Sequence, residues 1–134
     1  MTVCGIELKG NNAILSCLSG DAQNYEVIAK DIRKIGLADT KVQENIKSFS
    51  STINQFFKEM NIDRIAIKAR AEKGKFAGGA TSFKIEGLIQ NTEYSVEIIH
   101  GATIKSKLKG IDTDLSIVNK YQQESLKLAI FLLQ

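Results

Sequence analysis

The residues best suited to chemistry lie in residues 63–90, where a strand pattern, a cation cluster, a glycine loop and a helix pattern follow one another. Glycines allow close backbone approach, and a helix start presents free N–H groups to an anion. The stretch therefore predicts a phosphate site, although small residues also suit close packing of a helix on a sheet. Its candidate binding residues are Arg70, Lys73, Lys75, Gly78 and Gly79.

A second group of cations follows the last predicted strand. Lys105 and Lys109 are four residues apart, so they share one face of a helix. Together with the loop cations they could form a basic edge that follows a sugar-phosphate backbone. A solvated helix face without a partner is the alternative interpretation of the same lysines.

Composition limits the classes of protein that the chain could represent. With 134 residues, 43% of them hydrophobic, it is long enough for one core, so residues 1–134 are expected to form one domain. A net charge of +3 does not by itself require a nucleic acid or membrane partner. No apolar run approaches the roughly 18 residues of a membrane span, and no signal peptide is apparent. We expect a cytoplasmic protein with no membrane partner.

Two short apolar runs, residues 3–8 and 13–18, are joined by KGNN, whose residue types suit a hairpin turn. A turn at the centre of KGNN places Cys4 opposite Cys17 and gathers the apolar side chains on one face. In a reducing compartment both cysteines are expected to remain thiols. A disulfide between them is conceivable.

The rest of the chain alternates between strand and helix patterns. The crossover helix that precedes the fourth strand makes that strand parallel to the first. The elements predicted after the hairpin are a strand at residues 25–29, a helix from about 39 to 61, a strand at 64–69, a helix at 79–90, a strand at 94–99, a short helix at 103–109 and a closing helix at 116–133.

This order of elements is that of the ribonuclease H-like fold. Four segments carry a closer resemblance: VCGIELKGNNAILSCL, KGKFAGGATSFKIEGLIQ, HGATIKSKLKG and YQQESLKLAIFLL. They resemble a bacterial domain-of-unknown-function family that is thought to share the fold of the Holliday-junction resolvase RuvC. The resemblance implies an α/β fold with a mixed five-stranded sheet, order 3-2-1-4-5, and helices on both faces.

The resemblance also implies a site. Enzymes of that superfamily hold Mg²⁺ or Mn²⁺ between carboxylates from the first strand, the end of the fourth strand and the last helix. Glu7 matches the first of these positions and Glu124 the last, so both are candidate catalytic residues and metal ligands. The middle position falls near Lys68 or Ala69, neither of which binds a hard cation. Glu72, further into the loop, is the nearest acid.

Each of these glutamates also suits a plain solvated position on a sheet face, a helix or a loop. The leading hypothesis is a RuvC-like domain that binds structured or branched nucleic acid and has a degenerate phosphodiester hydrolase site. The alternative is a non-catalytic scaffold that pairs as a homodimer through its terminal helix or an exposed edge strand.

Overall fold

The computed structural model describes residues 1–74 and 78–134. Over these residues the chain forms six strands, which are β1 (Thr2–Lys9), β2 (Asn12–Gly20), β3 (Tyr25–Ile28), β4 (Lys34–Gly36), β5 (Arg64–Lys68) and β6 (Ser95–Ile99). They make one mixed sheet in the order β3-β2-β1-β5-β6, with β4 beside β2. Strands β1, β5 and β6 are parallel, whereas β2 is antiparallel to β1, β3 and β4.

The predicted fold class is confirmed, and the predicted order 3-2-1-4-5 is that of the five longer strands. The expected count of five strands was wrong because β4 adds a sixth. β4 has three residues, of which only Ile35 is buried. It pairs with the beginning of β2, where Ala13 lies opposite Ile35. A segment this short contains no alternation from which a strand could be predicted.

The register of the first hairpin agrees with the prediction. Cys4 lies opposite Cys17 in the β1–β2 pair, and Gly10 takes a φ of +61° in the turn. Both cysteines are buried free thiols. Burial, with the neighbouring Cys17, raises the pKa of the Cys4 thiol, so this thiol is a core group rather than a reactive one.

Helices cover both faces of the sheet. The first face packs against α1 (Gln43–Glu59) and α2 (Ala80–Gln90), whose Phe57 and Ile85 are fully buried. The second face packs against α3 (Gly101–Leu108) and α4 (Gln123–Leu133). No helix in the described parts of the chain has both the length and the apolar character needed to cross a membrane.

The closing helix is shorter than the predicted helix at residues 116–133. Two 3₁₀ turns, Leu115–Ile117 and Lys120–Gln122, precede it, and α4 begins only at Gln123. The Asp114 side chain accepts a hydrogen bond from the Ser116 N–H at 3.0 Å. Such local bonds stabilise turns at the expense of a continuous helix.

Helix α4 lies unusually close to the centre of the sheet because β1 contains Gly5. A Cβ at this position would lie 1.9 Å from the Ser125 carbonyl oxygen. The hydroxyl groups of Ser125 and Ser16 are 2.7 Å apart in the buried contact between α4 and β2. The glycine and this polar contact together fix the beginning of α4 above β1.

Candidate functional site

The carboxyl ends of the parallel strands β1, β5 and β6 lie at the same end of the sheet, and most of the predicted site residues lie near them. Ile6 of β1 pairs with Ile67 of β5, so Glu7 and Lys68 are next in register. Ile6 and Ile67 belong to the core on the α1 and α2 side. Because side chains alternate along a strand, Glu7 and Lys68 lie on the α4 side.

Glu124 in the first turn of α4 reaches the same place. Its Oε1 accepts a hydrogen bond from the Lys68 Nζ at 3.0 Å, and its Oε2 lies 3.0 Å from the Lys127 Nζ. The structure therefore places Glu7 and Glu124 on one face of the sheet. The ion pair between Lys68 and Glu124 joins the end of β5 to α4.

The ionised form of Glu124 is favoured by these two lysines. Partial burial disfavours the charged carboxylate, but the hydrogen bonds and charges of Lys68 and Lys127 outweigh burial and lower the pKa of Glu124. Glu124 is therefore a carboxylate at neutral pH whose two oxygens each face an ammonium group.

A cavity of about 670 Å³ opens beside this ion pair, between α3 and α4. We call it the lysine cleft and define it by Lys68, Lys105, Lys109, Lys127 and Glu124, all of which line it. Lys105 and Lys109 are exposed and make no ion pair with any described residue. Four lysines and one glutamate line the cavity, so the cleft attracts anions.

Neighbouring residues of α3 shape the lysine cleft. Gly101 lies beside the Lys68 side chain, since a Cβ on this glycine would be 3.5 Å from the Lys68 Cε. Lys107 points away, with its Nζ 4.5 Å from the centre of the Phe131 ring. Lys105, on α3, and Lys109, the residue that follows α3 with an extended backbone, both line the cleft. Lys109 is thus outside the helix on which the four-residue spacing placed it.

Glu72 lies elsewhere. It lines a separate cavity of about 500 Å³ together with Arg70, Glu86 and His100. Burial and the charge of Glu72 raise the pKa of Glu86. The lining of this cavity shares no residue with the lysine cleft, so Glu72 is not brought together with Glu124.

The glycine loop offers fewer free backbone N–H groups to a phosphate than the sequence predicted. The Gly78 N–H donates a 2.7 Å hydrogen bond to the Ala71 carbonyl, so it is not free for an anion. Gly79 is the residue before α2, with an extended backbone, and Lys73 is exposed. Lys75, another predicted phosphate ligand, lies outside the described residues.

The carboxylates do not fit a resident Mg²⁺ or Mn²⁺. No group of three acidic, histidine or cysteine residues suitable for a metal occurs within residues 1–74 and 78–134. Glu124 already faces two ammonium groups, and the residue next to Glu7 in register is a lysine. Hard cations need several oxygen ligands and are repelled by nearby positive charge.

Sequence reasoning did not select Lys68 and Lys127, which line the cleft and pair with Glu124. Lys127 follows Glu124 by three residues, a spacing that places two side chains on one helix face and could have been recognised. Lys68 is 56 residues from Glu124 in the chain. That ion pair depends on the packing of α4 across β1, for which the sequence carries no local signal.

Three of the solved structures that match this chain illustrate the fold. Thermus thermophilus RuvC matches with a TM-score of 0.73 and 9% identity over 97% of this chain and 92% of its own. The Fowlpox virus resolvase in complex with Holliday junction DNA matches at 0.53 and 13% over 98% and 97%. The yeast mitochondrial Holliday junction resolvase matches at 0.55 and 11% over 96% and 75%. The protein therefore has a RuvC-like, ribonuclease H-like fold.

The chain belongs to the family described as "Protein of unknown function (DUF3010)", whose model matches residues 1–132. This confirms the resemblance to a domain-of-unknown-function family with a RuvC-like fold. None of the curated proteins matches the sequence.

Proposed function

We propose that this protein binds structured or branched nucleic acid by holding the sugar-phosphate backbone in the lysine cleft. The observation that carries the proposal is the cleft itself, which is lined by four lysines and one glutamate. The whole chain has a net charge of only +3. The four lysines and one glutamate give the cleft a local excess of positive charge to which phosphates would bind.

The position of the cleft supports the same function. Ligands of open α/β sheets bind beyond the carboxyl ends of the strands, and Lys68 is the last residue of β5. Two proteins of similar fold, Thermus thermophilus RuvC with a TM-score of 0.69 and the Fowlpox virus resolvase, have been solved with Holliday junctions. Fold likeness makes junction DNA the first ligand to test.

The loop at residues 70–79 extends the proposed interface. Arg70, Lys73 and Lys75, with Gly79, would contact phosphates further along the strand, while the lysine cleft makes the principal contact. The proposal keeps the cytoplasmic location expected from the sequence. It includes no hydrolysis step by Glu7, Glu72 or Glu124, because the residues present do not fit the metal that such a step needs.

Fluorescence anisotropy with a labelled four-way junction, measured over a range of salt concentrations, tests this function. We expect Lys105→Ala/Lys109→Ala to weaken binding and to reduce the slope of log K against log[salt] by roughly 1 for each lysine removed. Both residues are exposed, so the double variant should fold normally.

The matched control is Lys47→Ala/Lys58→Ala, which removes two exposed lysines from α1 on the other face of the sheet. Its affinity and salt slope should stay close to those of the wild type. Equal losses in the two double variants, or no binding by the wild type at low salt, would contradict the proposal.

A self-associating scaffold is the second candidate function. Strand β6 lies at the edge of the sheet and Ile98 on it is 37% exposed, so another strand could pair there. The terminal helix is less available, since eight residues of α4 are buried within the chain. Concentration-dependent dimerisation without DNA affinity in the same samples would favour the scaffold.

A further inference from the structure

We propose that the ammonium group of Lys68 takes the place of a divalent ion, so that the lysine cleft holds phosphate by ammonium groups alone. This inference rests on the proposed function, because it states how the same cleft would bind a phosphate. It departs from the metal-dependent site that the resemblance implied.

Lys68 lies where a cation shared by the two glutamates would have to lie. Lys68 ends β5 on the α4 side of the sheet, next in register to Glu7 on β1. Its Nζ lies 3.0 Å from the Glu124 Oε1. A cation shared by Glu7 and Glu124 would have to lie at this end of the two strands, which the Lys68 side chain already occupies with its own positive charge.

The negative charge of Glu124 is already balanced by lysines of the chain. Lys127 contacts the other oxygen of Glu124 at 3.0 Å, so both oxygens face cations that belong to the chain. A divalent ion arriving here would displace one lysine from Glu124 and would then be repelled by both. The lowered pKa of Glu124 agrees with a carboxylate that these lysines already neutralise.

Two further lysines of the cleft remain available to bind a phosphate. Lys105 and Lys109 line the cleft without an ion pair to any described residue, and three N–H donors on each ammonium can bind phosphate oxygens. Gly101 leaves room for the Lys68 stem. A phosphate can therefore be held by hydrogen bonds and charge with no bridging metal.

Calorimetric titration of the metal-free protein with Mn²⁺ is the direct test. We expect no saturable binding by the wild type or by Lys68→Gln, which removes the ammonium group without adding a ligand. We expect Lys68→Glu to bind Mn²⁺ at one site, because a third carboxylate then joins Glu7 and Glu124. Circular dichroism checks that each variant is folded.

Saturable one-site Mn²⁺ binding by the wild type, lost in Glu124→Gln, would overturn the inference whether or not Lys68→Glu folds. A folded Lys68→Glu variant that binds no Mn²⁺ would also overturn it, because the Lys68 position would then not be one that a divalent ion could share with Glu7 and Glu124. Absence of Mn²⁺ binding by wild type, with a gain in Lys68→Glu, supports it.

Junction binding measured in EDTA and in Mg²⁺ separates this inference from the proposed function. Equal affinity after correction for ionic strength supports a cleft that works without a metal, whereas binding that requires Mg²⁺ overturns it. If the wild type binds no junction in either buffer, the proposed function fails, and the Mn²⁺ titrations still decide what Lys68 does.

Discussion

Glu124 shows how far a single residue can be interpreted from sequence. Its place in the closing helix was predicted, and so was its position on the same side of the sheet as Glu7. Its partners were not, because Lys68 comes from a strand 56 residues away. Those partners turn a candidate metal ligand into the internal counter-ion of a basic cleft, and the resulting shift of its pKa can be measured.

The pH dependence of stability should reveal this ion pair. The Glu124 pKa is lowered below its ordinary value of 4.5, so its stabilising contribution is present above that value and is lost as the pH falls through the lowered pKa. The wild type should therefore melt at a higher temperature than Glu124→Gln at pH 7. The corresponding difference in the free energy of unfolding should be no more than about 1 kcal/mol, because both partners are partly exposed and screened.

Thermal melts of both proteins between neutral and strongly acidic pH make the measurement. The two melting temperatures should converge at the acid end. Glu93→Gln is the control, because Glu93 is exposed and makes no ion pair with a described residue. A wild-type advantage that persists or grows as the pH falls would show that Glu124 is not stabilised as a carboxylate.

The same substitution should strengthen phosphate binding. Removing the charge of Glu124 releases Lys68 and Lys127 from their internal partner, so both become available to the backbone of a junction. We expect the dissociation constant of Glu124→Gln to fall about two- to five-fold, the range that corresponds to an exposed ion pair. Anisotropy at low salt measures it, with Glu93→Gln again as control. Weaker binding would mean that Glu124 orients the lysines rather than competing with phosphate.

At the scale of elements, the hairpin was predictable and the start of the last helix was not. KGNN sets both the turn and the register, so Cys4 opposite Cys17 followed from local chemistry. The start of α4 depends on side-chain bonds within residues 114–122, which compete with a helical pattern that continues through them. β4 is held by its pairing with β2, a long-range contact.

Packing of α4 on β1 is the contact between elements on which the site depends, and Gly5→Ala tests it. The new Cβ would meet backbone atoms, the Ser125 oxygen at 1.9 Å and the Ala129 nitrogen at 2.7 Å, which cannot yield as a flexible side chain can. We expect the free energy of unfolding in urea to fall by about 1–3 kcal/mol or more. Junction affinity should also fall, since Lys127 of the lysine cleft moves with α4.

Gly87→Ala is the matched control, because no atom lies within 4 Å of a Cβ at that helical position. Alanine there should raise stability by about 0.5–1 kcal/mol through helix propensity. An unchanged unfolding free energy in Gly5→Ala would mean that α4 is not held against the sheet as described.

For the whole molecule, the sequence predicted a mixed sheet with helices on both faces and a basic edge, because apolar periodicity and lysine spacing are local patterns. It did not predict that Glu72 lies apart from Glu124. Glu72 lines a cavity beside α2, whereas Glu124 lines the lysine cleft beside α4. The three acids predicted as one cluster are therefore not together, and four lysines line the cleft that contains Glu124.

A nucleic acid bound in the lysine cleft should leave its main footprint on the face of the sheet that α3 and α4 cover. Hydrogen exchange followed by mass spectrometry should show slower exchange, on addition of a four-way junction, in peptides that cover α3 and the beginning of α4, where Lys105 and Lys127 lie. Peptides from α1 on the opposite face should exchange as in the free protein. Bound DNA shields nearby backbone amides and suppresses local opening.

The Lys105→Ala/Lys109→Ala variant supplies the control, since at the same junction concentration its protection should be reduced in α3 and α4 alike. Protection centred on β6 in the absence of DNA, increasing with protein concentration, would instead indicate self-association through the sheet edge. Protection of α1 on addition of the junction would place the nucleic acid on the wrong face and contradict binding at the carboxyl ends of the parallel strands.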